Sequence, residues 1–386
     1  MKICAIICEY NPFHPGHKYL IEQAKSLSGA DAILCIMSGN FVQRGEAAII
    51  EKHQRAALAV EYGADIVIEL PTVFATSNAE IFARGAVSVL AKIPQITHLC
   101  FGVESGSKED FWNAAKLLLH EPKEVSEKLR ALMDEGVSYA SALTQARESI
   151  LSSNLLSSPN NILGLEYAKA ILAWNAPIEI LPVLRNGNMY HDTDLNTPYP
   201  SATAIRKACV DGRLSALENV LPPLLYLALQ DLNAFDVDTL EKVAIVKTSA
   251  SELAQTLDCN EGLENAFKKA ATLPPPLTET LTSSRYTASR IRRIALQNLL
   301  GVRKEFIFAC LNAPLYVRPL AYKAERNDLL SALSKAAIPF LACGQDREDL
   351  QGIAAKCLQV DLLAEELYAA MAHKRYDNKT VVKRAH

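Results

Sequence analysis

Cys8-Glu9-Tyr10-Asn11-Pro12-Phe13-His14-Pro15-Gly16-His17 is the stretch on which the fold of this chain turns. An apolar run over residues 3–7 precedes it and reads as a first β-strand; a helical pattern over residues 18–27 follows. A strand passing through a Gly-containing turn into a helix leaves free backbone N–H groups, and the positive end of a helix dipole, where a phosphate can sit. His14 and His17 flank that turn, so their imidazoles can add donors to the same oxygens. Such a pair suits adenylyl transfer, in which charge builds on an α-phosphate as pyrophosphate departs. The plain alternative is a pair of buried or turn-capping histidines. No G-x-x-x-x-G-K-[ST] phosphate loop is present, and no convincing G-x-G-x-x-G.

Outward from this stretch, strand and helix alternate. Residues 32–37 are apolar and end in Ser38-Gly39-Asn40, residues 47–62 have helical periodicity, and residues 64–70 are β-rich and stop at Pro71. A second helix is expected over residues 78–92 and a strand over residues 96–103. That order predicts right-handed βαβ crossovers and an α/β fold with a doubly wound parallel sheet. Ligands bind such sheets beyond the carboxyl ends of the strands, and His14, Gly39, Asn40 and Gly102 all fall there.

Residues 108–152 read as charged helices elaborating the sheet. Ser158-Pro159-Asn160-Asn161 reads as a turn and cap before a helix over residues 162–174, residues 177–184 as a strand, and Arg185-Asn186-Gly187-Asn188 as its exit loop. Ser201 and Thr203 open the next helix with Arg206 one turn in. Hydroxyls, free N–H groups and a guanidinium there would make a second anion site, against the alternative of ordinary capping and a surface arginine. From about residue 213 the chain turns Leu/Ala-rich and mostly helical, so a catalytic, nucleotide-binding domain is expected over residues 1–212 and a helical one over 213–386. Small strands are expected over residues 315–322 and 338–343. The segment 283–293 carries Arg285, Arg290, Arg292 and Arg293 with Tyr286 and several hydroxyls, a composition suited either to RNA phosphates and a stacked base or to a solvated helix face.

Composition bounds the rest. A length of 386 residues accommodates two or three domains, and a net charge of −3 carries no global nucleic-acid footprint, so any RNA contact must be local. The nine cysteines are scattered without C-x-x-C pairs, which argues for reduced, core-packed thiols in a cytoplasmic protein. Cys4 and Cys8 near the two histidines are read as packing and not as a metal site. No apolar run approaches membrane-spanning length.

The His-x-Gly-His turn and the downstream Ser-x-Thr-x-Ile-Arg resemble the HIGH-type nucleotidyltransferase superfamily. The fuller set is narrower: C-E-Y-N-P-F-H-P-G-H, M-S-G-N-F-V-Q-R-G-E (37–46), A-D-I-V-I-E-L-P (64–71), F-G-V-E-S (101–105), S-P-N-N-I-L-G-L-E-Y (158–167), S-A-T-A-I-R-K (201–207) and R-Y-T-A-S-R-I-R-R (285–293). Together these resemble the bacterial tRNA(Met) cytidine acetate ligase family, over residues 1 to about 320. His53 stands where an aromatic is expected, and Ser284 where that family's last element often has Lys.

The resemblance implies that ATP activates acetate as acetyl-adenylate, with Mg²⁺ accompanying the nucleotide. Acetyl then passes to the N4 amine of wobble cytidine 34 in the anticodon of elongator tRNA(Met). It carries the family's ATP site onto Ile7, Cys8, Glu9, Tyr10, Asn11, Pro12, Phe13, His14, Pro15, Gly16, His17, Lys18, Tyr19 and Leu20, with Gly102, Asn160 and Arg185. It also gives the β/γ-phosphates to Ser201, Thr203 and Arg206, and makes His14 and His17 catalytic. Position nominates Asn40, Gln43 and Arg44 for the acetate or cytidine pocket, and composition nominates Arg285, Tyr286, Arg290, Arg292 and Arg293 for the tRNA. Two rivals are an adenylyltransferase acting on a small phosphorylated metabolite and a non-catalytic, nucleotide-sensing RNA-binding protein.

Overall fold

The computed structural model describes residues 1–383 except 138, 152–154, 186–199, 219, 231, 233–234, 342–345, 347 and 377–378. Asn186, Gly187, Asn188, Cys343 and Arg384 therefore lie outside the described residues. Strands β1 (Ile3–Cys8), β2 (Ala32–Ser38), β5 (Ile66–Leu70), β6 (Ile96–Val103), β7 (Glu179–Leu184), β8 (Pro319–Lys323) and β9 (Val381–Lys383) form one sheet in the order β7-β6-β1-β2-β5-β8-β9. The first five in that order pair in parallel, and β8 joins β5 antiparallel. β3 (Phe41–Val42) and β4 (Glu46–Ala47) make a separate two-stranded ribbon.

β1 and β2 are apolar up to Ser38 at the end of β2, because both faces are covered. Alternate residues of β1 divide between two cores: Ile3, Ala5 and Ile7 pack with helices Ala79–Leu90 and Pro159–Ala173, while Cys4 and Ile6 pack with Pro15–Ser28 and Lys52–Glu61. Helix starts are marked chemically: Asn78 accepts from the Ile81 N–H (3.1 Å), and Ser107 and Asp110 form a reciprocal capping box before Lys108–Leu119.

The helix expected over residues 47–62 begins only at Lys52. Residues 46–47 are drawn into the β3–β4 ribbon, and the Glu51 carboxylate caps the helix by accepting from the N–H groups of His53 and Gln54. His53 is buried, with Nδ1 2.8 Å from Glu51. The strand expected over residues 338–343 reduces, among the described residues, to a bridge between Phe340 and Val317.

After residue 213 the chain is mostly helical, yet its strands β8 and β9 complete the sheet, and helix Gly352–Ala372 packs Cys357, Ala364 and Tyr368 into the main core. Between them, helices Val237–Lys247, Leu263–Ala270 and Ala288–Leu299 share a separate core around Ile245, Leu263, Phe267 and Ile294. Among the described residues no helix is long and apolar enough to cross a membrane.

Candidate active site

The β1 exit turns sharply: Tyr10 has φ 49° and the Asn11–Pro12 bond is cis. His14 is the N-cap of helix Pro15–Ser28. Its Nδ1 accepts from the Gly16 N–H (3.1 Å), and Nδ1 of His17 accepts from the His14 N–H (3.2 Å). The capping and phosphate-binding alternatives are thus compatible, because capping uses Nδ1 of each ring. The neutral tautomer then carries its proton on Nε2, a donor on each imidazole. The two rings stack with centroids 3.6 Å apart. A Cβ on Gly16 would lie 2.9 Å from Cε1 of His14, so glycine makes room for the capping ring.

Burial, reinforced by Arg185 and Arg206, holds His14 down at about 3 from its usual 6.5, and burial and His14 lower His17 well below that value. Both rings are neutral at physiological pH. Between pH 6.5 and about 3 the unfolded chain takes up a proton at His14 that the folded chain refuses, so this contribution is complete above 6.5 and lost as pH falls. The melting temperature of the unliganded protein should fall through that window, and more shallowly in His14→Gln.

A cleft of about 240 Å³ opens above the turn, lined by Ile7, Cys8, Glu9, Tyr10, Asn11, His14, Gly16, His17, Tyr19 and Leu20. Pro12, Phe13, Pro15 and Lys18 do not line it. Pro12 and Phe13 are buried, with Phe13 stacked on Tyr62 at 5.4 Å; Pro15 opens the helix, and Lys18 is exposed near Glu22.

Gly102, Asn160 and Arg185 meet on the β6–β7 side of the cleft. A Cβ on Gly102 would touch only Arg185, at 3.5 Å, so the room left there is room for a ligand. Asn160 donates to Glu104 (2.6 Å), whereas Asn161 is buried and ties the β6 exit through the Glu104 N–H (3.0 Å). Ser201 caps helix Ala202–Val210 by accepting from Ala204 N–H (3.0 Å). Arg206 donates to the carbonyl of Asn11 (2.5 Å) and to Thr203 (3.3 Å), tying the start of this helix to the turn after β1.

On the β2 side, Gln43 and Arg44 line the cleft and the Gln43 N–H donates to Glu9 Oε1 (2.6 Å). Asn40 does not line it: its side chain is buried and accepts from the Lys52 N–H (2.9 Å). Arg55, which the sequence reading passed over, is fully buried and donates to the carbonyls of Glu9, Ser38, Gly39 and Ile50, locking the β1 and β2 exits together.

The arginine segment divides. Arg285 is exposed and pairs with Glu261 (3.3 Å); Tyr286 lies beside Arg285 and Arg290. Arg290 donates to the Asp258 carbonyl (2.8 Å) and to Asn260. Arg292 pairs with Glu46 (2.6 Å), and Arg293 reaches Asp258 (3.9 Å) and the Gln43 carbonyl (3.5 Å). Those two hold the cleft loop, and a Cβ on Gly45 (φ 74°) would collide with their backbone. Sequence reasoning also missed Phe82, Phe101, Leu163 and Tyr167, which form the apolar wall; the recurrence of three of these inside quoted motif blocks was the available signal.

The HIGH Nucleotidyl Transferase family model matches residues 1–383. The chain is 34% identical to the tRNA(Met) cytidine acetate ligase of Acetivibrio thermocellus, over 95% of this chain and 94% of that one, and 39% identical to that of Clostridium novyi, over 78% and 79%. It superposes on the apo crystal structure of Thermotoga maritima TmcAL with a TM-score of 0.90, and on TmcAL bound with alpha-thio ATP with 0.88, at 28% identity and full coverage of both chains in each case. With its paired imidazoles at the first helix start and these matches over almost its whole length, the chain belongs to the HIGH nucleotidyltransferases and, among them, to the tRNA(Met) cytidine acetate ligase family.

Proposed function

We infer that this protein is an ATP-dependent ligase that converts acetate to acetyl-adenylate with release of pyrophosphate, then acetylates N4 of wobble cytidine 34 in elongator tRNA(Met). The observation that carries the reading is the pair of neutral, stacked imidazoles whose Nδ1 atoms are committed to the helix start, leaving Nε2–H donors for a phosphate. ATP lies with its adenosine against Gly102 and Phe101. Its α-phosphate meets His14 and His17, and its β/γ-phosphates meet Ser201, Thr203, Arg206 and Arg185. As acetate oxygen attacks the α-phosphorus and pyrophosphate leaves, the two Nε2–H groups and the helix N-terminus stabilise the charge that builds on the phosphoryl oxygens. Neutral rings suit this role: they donate without trapping the product as an ion pair.

Mg²⁺ arrives with the nucleotide. Among the described residues Glu9 is the one acidic side chain lining the cleft, so the protein offers no carboxylate set for a metal, and phosphate oxygens and water hold it. Arg285 and Tyr286 are the residues of the basic segment best placed to meet the anticodon stem-loop, and cytidine 34 must leave its stack to enter the cleft. The thiols and these substrates fit a cytoplasmic location.

The test is acetate-dependent exchange of labelled pyrophosphate into ATP without tRNA. The ligase reading expects exchange that requires acetate. Exchange indifferent to acetate but supported by a phosphorylated metabolite would favour an ordinary adenylyltransferase, and nucleotide binding with no exchange a non-catalytic sensor.

A further inference from the structure

A carboxylate is out of place in a cleft that must hold a triphosphate and an acetate, both anions. Glu9 is nevertheless there, and it is held with care. The Gln43 N–H occupies Oε1 at 2.6 Å, and the buried Arg55 guanidinium grips the Glu9 carbonyl. The strand order also says which substrate it faces. β1 lies between β6 and β2, with Gly102 and Asn160 on the β6 flank and Gln43 and Arg44 on the β2 flank. The bond to Gln43 turns a Glu9 oxygen to the β2 flank, the flank that an adenosine seated against Gly102 and Phe101 leaves to the third substrate. That substrate brings an amine, the one hydrogen-bond donor among the reacting groups.

We propose, building on the ligase reading, that Glu9 accepts the proton from the attacking N4 amine in the acetyl-transfer step. The nitrogen lone pair of the cytidine amine forms the new C–N bond to the acetyl carbon. The C–O bond to the phosphate breaks, and AMP leaves with that electron pair. The nitrogen must shed one proton to become a neutral amide; it passes to a Glu9 carboxylate oxygen and from there to solvent. No oxidant, reductant or further reactant is needed.

The surroundings of Glu9 suit a base. Burial pushes its carboxyl up, against the pull of the Gln43 N–H, Arg206, Arg55 and Arg44, so it is more basic than an exposed glutamate. The other groups facing it, Tyr167 and Cys8, are held neutral by burial. Activation of acetate involves no proton transfer from an amine and so should not require this carboxylate.

Glu9→Gln separates the two half-reactions. It keeps the oxygen that accepts from Gln43 but cannot take a proton. Any loss of ATP binding lowers acetate-dependent pyrophosphate exchange as well, so exchange is the reference: measurable exchange shows that the variant folds, and single-turnover acetyl transfer to tRNA should fall about 10²–10⁴-fold further than exchange does. In the wild type the transfer rate should climb with pH as Glu9 ionises, and that limb should vanish in Glu9→Gln. Exchange and transfer falling together, as for a group that binds ATP, would overturn the assignment; so would undiminished transfer. Wild-type protein that neither exchanges nor acetylates would overturn the ligase reading and this one with it.

Discussion

Replacing His14 by alanine is expected to slow acetate-dependent pyrophosphate exchange by about 10²–10³-fold, the usual cost of removing one preorganised donor from a developing oxyanion. The substitution removes two things at once: the Nε2–H donor and the cap that accepts from the Gly16 N–H. Losing the cap costs about 1 kcal/mol of stability. His14→Asn separates the two, because an asparagine side chain can cap but is too short to place a donor where Nε2 lies. The account expects His14→Asn to recover most of the stability in a urea titration and little of the exchange rate. Recovery of both by asparagine would mean that the histidine is a cap and nothing more.

Glu365→Ala is expected to destabilise the protein by about 3–5 kcal/mol, read from the urea midpoint, because it breaks a buried ionic network. Lys52 reaches Glu69 at 2.5 Å and also contacts Glu365; Arg318 reaches Glu69 at 2.9 Å and Glu365 at 2.7 Å. All four side chains are at most 3% exposed. With Glu365 gone, two buried cations share one carboxylate. Against a total of about 5–15 kcal/mol for a typical domain, that loss is large. Replacing Lys52 and Glu365 together by methionine removes one charge of each sign and should return most of the stability, whereas additive losses would contradict the network account. The same network bears on the cleft. Asn40 anchors to Lys52, and the Glu69 carboxylate fills the space where Gly39 lacks a side chain, so the β2 exit rests on it.

The parts legible in the sequence were those written in local patterns. An apolar run, a Gly-containing turn and a helical period announced the β1–His14–Gly16–His17 unit. Repetition of strand and helix announces the parallel sheet, and of the four strand-end residues His14 and Gly102 line the cleft while Gly39 and Asn40 do not. What escaped notice was written over long sequence separations. The segment Glu51-Lys52-His53-Gln54-Arg55 looks like a solvated helix face, yet four of its five residues are buried, because Lys52 finds its partner at Glu365 and Arg55 finds backbone carbonyls at two strand exits. The sequence shows β8 as a short strand but not as part of the main sheet: it joins the sheet antiparallel from beyond residue 315, and its register with β5 depends on a partner about 250 residues away. Asn40 and the pair Arg292 and Arg293 have functional composition but structural employment, holding the loop that Gln43 and Arg44 present to the cleft.

The decisive experiment incubates the protein with ATP, Mg²⁺, labelled acetate and elongator tRNA(Met), then digests the RNA for nucleoside mass spectrometry. A ligase of this kind leaves labelled N4-acetylcytidine at the wobble position, dependent on ATP and lost in His14→Ala. Turnover of ATP with acetate that leaves every cytidine unlabelled would contradict it.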